Sequence, residues 1–112
     1  MAKPNEKEKR EEEILDLREV MSNQRGRRVV RRLLASAGIW KSTFRPRKGV
    51  RPEDWVVFNA AQRELGQFLM DEACGAHPAG YELMNSEAAA RAMIENAKRA
   101  QGNQDQKELE DE

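Results

Sequence analysis

Arg25, Arg27, Arg28, Arg31 and Arg32 fall within a single stretch of eight residues. On a helix, such a group can neutralise successive phosphates and release their counterions. A second basic group, Lys41, Arg45, Arg47, Lys48 and Arg51, follows in the next twenty residues. These ten side chains are the candidate contact set for a nucleic acid or an acidic partner. The competing reading is a solvated helix face, or pairing with the chain's own Glu53, Asp54, Glu64, Asp71 and Glu72. Base-specific readout is not expected, because neither a helix-turn-helix pattern nor a zinc-finger spacing is present.

Three aromatic residues, Trp40, Phe44 and Trp55, flank the second basic group. Interleaved with cations, they can stack the bases of a single strand. The competing and favoured reading places them over the ends of a helical core. Cys74 and His77 lie three apart, but a structural zinc site needs four ligands and the chain has one Cys and one His. A Cys–His nucleophile would also need an orienting group and an oxyanion site, and neither is visible. Cys74 is therefore expected to pack as a small apolar residue and His77 to end a helix. Paired carboxylates in an apolar setting, a phosphate loop and a metal cluster are all missing from the sequence. Hence no catalytic residue, cofactor or metal is expected, and the chain is not expected to be an enzyme.

The arginines belong to a larger charge pattern. The 112-residue chain has zero formal net charge, yet residues 18–51 carry eleven basic groups and one acidic group. The first seventeen residues carry four basic and six acidic groups, and residues 52–112 five basic and thirteen acidic. A basic middle between acidic ends attracts a polyanion, an acidic partner surface or another copy of the chain. Charged residues make up 36% and apolar residues 38%, so only a small core can form. Glu, Arg, Ala and Leu dominate over β-branched and aromatic types, which favours helix. One cysteine excludes an internal disulfide and fits a reducing compartment. No apolar run approaches the roughly eighteen residues of a membrane span. Residues 1–13 lack the apolar core of a signal peptide.

These features predict an all-α fold: a small bundle of three to four helices with a basic loop and disordered charged termini. Residues 1–13 form a charged extension, 14–100 a helical domain and 101–112 an acidic disordered tail. In the extension, Glu6/Arg10, Lys7/Glu11 and Lys9/Glu13 permit a solvated helix that frays alone. Ile14, Leu17, Val20 and Met21 form the stripe of the first core helix. Ser22 or Asn23 can cap the second, about 24–37, and Gly38 stops it. In that helix Val29, Val30, Leu33, Leu34 and Ala37 occupy one sector, the five arginines the opposing one. Gly26 lies on the apolar side, where it allows close backbone approach. Ile39, Trp40 and Phe44 are expected to fold back on the core, and residues 45–49 to form a mobile basic loop. Pro52 should start a third helix whose broad face carries Trp55, Phe58, Ala61, Leu65, Phe68 and Leu69. Gly66 beside that face marks a close crossing. After a boundary at His77-Pro78, Tyr81, Leu83 and Met84 make a short apolar turn. Ser86 then caps a fourth helix. Its small residues between Glu87 and Ala100 suit a close contact between subunits, and the small core makes oligomerisation favourable.

The stretch Asp16–Phe44 resembles a small domain of tailed-phage proteins encoded among the capsid and portal genes of short-tailed phages of the Bordetella-phage type. The likeness is carried by Asp16-Leu17-Arg18-Glu19-Val20-Met21, Gly26-Arg27-Arg28-Val29, Leu33-Leu34, the Ala37-Gly38 stop, Ser42 and Phe44. A second block, 59–84, is similar at Arg63, Gly66, Leu69, Pro78, Tyr81, Leu83 and Met84. The charged N-terminal extension and the Ala-rich, acidic C-terminus depart from the pattern. The resemblance implies a virion or assembly role, with portal, capsid or internal proteins and packaged DNA as partners. The expected location is then the virion, and the host cytoplasm during assembly. The alternative expectation is a soluble nucleic-acid-binding regulatory factor.

Overall fold

The computed structural model describes residues 5–110. Among them the chain is all-α, a small bundle of four helices without strands. The helices are α1 (Glu6–Met21), α2 (Gln24–Ser36), α3 (Trp55–Ala76) and α4 (Pro78–Glu110), and a 3-10 turn, Pro52–Asp54, leads into α3. The core is small: Met21, Val30, Leu34, Ile39, Ala73 and Met84, with Leu17, Leu69 and Tyr81 packed around it.

Local signals set most helix ends. Asn23 caps α2 by accepting from the N–H groups of Arg25 (2.8 Å) and Gly26 (3.4 Å). Gly38 follows α2 with φ at +78°, the left-handed conformation that glycine adopts without penalty. Gly26 and Gly66 are the two close approaches. A Cβ on Gly26 would lie 2.1 Å from the Val20 carbonyl oxygen, and one on Gly66 would lie 2.5 Å from the Ala37 Cβ. Gly26→Ala is therefore expected to cost about 2 kcal/mol, because a carbonyl of the α1–α2 corner must move. Urea denaturation would measure it, and an unchanged midpoint would contradict this packing.

Several expectations are corrected. The described part of the charged extension is not frayed. Asn5 and Glu8 form a capping box on α1, and Arg10 pairs with Glu13 on its own helix and with Glu72 of α3. The ion pairs inside α1 are three apart, not four. At the other end, α4 continues through residues 101–110, where a disordered tail was expected. A helix already nucleated on the bundle extends at little cost through residues of good propensity. Residues 1–4 and 111–112 lie outside the described residues.

The boundary at residues 77–78 is a helix-to-helix corner with no separate apolar turn. Pro78 takes the first position of α4. His77 Nδ1 accepts from the Gly80 N–H (2.8 Å) and so caps the helix nine residues before Ser86. Tyr81, Leu83 and Met84 are helical. Cys74 is exposed, not packed.

The largest correction concerns which faces point inward. In α2, Arg27, Val30 and Leu34 are buried, while Val29 and Leu33 are 42% and 53% exposed. The helix is turned by roughly 60° from the orientation its apolar sector suggests. In α3 the buried residues are Asn59, Gly66, Ala73 and Ala76, and Phe58, Leu65 and Phe68 face outward. Small residues let α3 approach its neighbours closely, so the bulky ones remain outside.

Candidate functional site

The structure separates the ten basic candidates into engaged and free groups. Arg27 points into the bundle. Its Nε and Nη2 donate to the two Glu87 carboxylate oxygens (2.7 and 3.3 Å), and its Nη1 donates to the Met21 carbonyl (3.1 Å). The Arg27 guanidinium holds the Glu87 carboxyl below its ordinary range, and Glu87 in turn raises the Arg27 pKa. Arg31 is half-buried, its guanidinium carbon 3.5 Å from the centre of the Trp40 ring. Burial pushes its pKa down.

The connector arginines are also employed. Arg47 donates to Asn59 Oδ1 (3.1 Å) and Gln62 Oε1 (2.7 Å). Asn59 is 1% exposed, and its Nδ2 donates to the carbonyls of Thr43 and Arg45, each at 2.9 Å. Gln62 Nε2 donates to the Ser36 carbonyl (2.8 Å), and Trp55 Nε1 to that of Val50 (3.0 Å). The basic loop is thus clamped to α3, contrary to the expected mobility. Arg45 donates to the Ser42 carbonyl (2.9 Å), and Arg51 lies 3.5 Å from both Glu53 and Asp54. Lys41 and Lys48 are exposed. Asn59→Ala would orphan two loop carbonyls and remove one of the two acceptors of Arg47. We expect a loss of about 2 kcal/mol and faster amide exchange confined to residues 43–50. Uniform exchange protection in the variant would refute the clamp.

Trp40 and Phe44 do not cover the core. They are 47% and 71% exposed, and of Ile39, Trp40 and Phe44, expected to fold back on the core, only Ile39 is buried. Phe44 meets Trp55 edge to face, with ring centres 6.4 Å apart.

Arg25, Arg28 and Arg32 remain on the outer side of α2 at helical spacing. Arg91 of α4 joins them, and the four surround a hollow of about 430 Å³ that also includes Val29. Among the described residues none of the four forms an ion pair. Four like charges around one hollow repel, and a bound anion relieves that repulsion. Each guanidinium is a planar fork that fits phosphate or carboxylate bidentately. Arg91 carries no local signal of membership, since it sits in the Ala-rich stretch sixty residues from its companions. Only the packing of α4 along α2 places it there.

Among the described residues, no group of three or more His, Cys, Asp or Glu side chains is arranged to hold a metal ion. Nor is any helix long and apolar enough to cross a membrane.

Fold and site together define an all-α bundle with an unpaired arginine cluster on its surface. The chain matches no family model, no curated protein and no solved structure.

Proposed function

We propose that this chain is a small non-enzymatic structural or assembly protein of a bacteriophage particle that binds polyanionic surfaces through the Arg25–Arg28–Arg32–Arg91 hollow. The observation that carries the binding reading is that four arginines from two helices, none in an ion pair among the described residues, line one hollow. The phage setting rests on the resemblance of Asp16–Phe44. In that setting the ligand is packaged DNA or an acidic face of a portal, capsid or internal protein, and the protein acts in the virion and, during assembly, in the host cytoplasm. The Ala-rich stretch of α4 between Glu87 and Ala100 and the small core favour action as an oligomer.

Two measurements test the reading. Fluorescence anisotropy with a short DNA duplex should show binding that weakens steeply with salt. Quantitative mass spectrometry of purified particles should find the chain in fixed ratio to portal or capsid. Absence of binding to DNA, portal and capsid alike rejects the proposal. A nucleic-acid-binding regulator is the second reading, favoured by exposed Trp40 and Phe44 beside the basic residues. DNA binding by a chain that is absent from particles would select it.

A further inference from the structure

Several of the outward-facing apolar residues lie on α3, apart from the arginine hollow. On α3, Val57, Phe58, Leu65 and Phe68 occupy one arc of the helix and are 51–72% exposed. Leu33 of α2, 53% exposed, adjoins Leu65 and Phe68 across a groove of about 440 Å³. Ala37 and Gly66 line this groove where α2 and α3 approach most closely, and no charged side chain lines it. Leu65 and Phe68 line it as well and remain largely exposed.

We infer that this α2–α3 face is a self-association surface on which two copies of the chain pack with two-fold symmetry. Projecting side chains and a receiving groove lie on the same face, and a two-fold contact requires that self-complementarity. Leu65 and Phe68 of each copy fill the groove of the other. An uncharged groove offers an acidic or basic partner no complement, whereas an identical apolar face matches it in character.

The area is sufficient. Five side chains at roughly 100 Å² each present about 500 Å² per copy. Burying both faces removes about 1,000 Å², the lower bound for a specific interface. This inference develops the oligomeric part of the proposed function and is independent of the arginine hollow, whose residues it does not use.

Sedimentation equilibrium on the full chain decides it, since that measurement is insensitive to molecular shape. The wild type is expected to rise from 12.9 kDa to twice that mass as concentration increases into the tens of micromolar. Leu65→Glu combined with Phe68→Glu should remain at the monomer mass with an unchanged helical circular-dichroism spectrum. Arg25→Ala combined with Arg28→Ala and Arg32→Ala should still dimerise, which separates this surface from the polyanion site. If the double variant unfolds, hydroxyl-radical labelling of the wild type replaces it. Labelling of Leu65 and Phe68 should then fall with concentration while that of Met93 does not. A wild type that is monomeric throughout overturns the inference and assigns the face to another protein. A dimer that survives the double substitution, or labelling of Leu65 and Phe68 that is independent of concentration, also overturns it.

Discussion

Replacing Arg25, Arg28, Arg32 and Arg91 together with alanine is expected to abolish most of the salt dependence of polyanion binding. If each guanidinium neutralises one phosphate of a duplex, the four account for about 3.6 units of the slope of log affinity against log salt. Between 50 and 200 mM salt, that slope corresponds to roughly a hundredfold loss of affinity in the wild type. The quadruple variant should bind weakly at both concentrations with a nearly flat profile. Arg51→Ala should leave the slope unchanged, because that guanidinium already faces Glu53 and Asp54. A steep slope retained by the quadruple variant would move the contact surface elsewhere. All four side chains are on the surface and unpaired, so thermal stability should hold or rise slightly as their mutual repulsion is removed.

Removing either member of the Arg27–Glu87 pair is expected to have the largest effect on stability. The two side chains are 10% and 17% exposed, and each supplies the other's main partner. Glu87→Ala leaves a cation inside the bundle, and Arg27→Ala leaves an anion. Either should cost about 3 kcal/mol, a large fraction of the roughly 5–15 kcal/mol that holds a small domain folded. Arg27→Met combined with Glu87→Leu should cost less than either single change, since it leaves no orphaned charge. Chemical denaturation at neutral pH would measure all three.

The pair also sets an acid limit. Arg27 remains charged throughout the accessible range, so Glu87 is the group that titrates. Its folded pKa lies below the ordinary carboxylate value of 4.5. Its contribution is therefore fully present above about pH 4.5 and is lost as pH falls through the lower folded value. Glu87→Gln should be less stable at neutral pH but show a shallower acid loss. Parallel acid titrations of the two proteins would contradict the pair's role.

Most of what could be read along the chain concerns short-range events. Asn23 caps α2 and Gly38 ends it because a side-chain oxygen or a positive φ acts within a few residues. Gly26 and Gly66 could be read as close approaches because a missing Cβ has no other use on an apolar helix face. The all-α class followed from composition, and the apolar stripe of α1 from its period.

Orientation could not be read in the same way. The five arginines of α2 share one sector of about 160°, yet Arg27, at its edge, is buried and Arg28 exposed. That difference comes from a carboxylate sixty residues away and the tight corner at Gly26. The Asn59 clamp was equally hidden, since its partners are backbone carbonyls of an irregular segment that carry no side-chain signature. The apolar face of α3 misled because a hydrophobic arc records a preference for burial without specifying which protein surface provides it.

The sequence by itself thus determined that the chain is helical, where most helices begin or end, and that its middle is basic. The tertiary structure decided which basic residues are free, that Arg91 joins them, and which apolar residues stay outside. Capping and periodicity act within one or two turns, whereas these assignments depend on how α2, α3 and α4 pack across long separations.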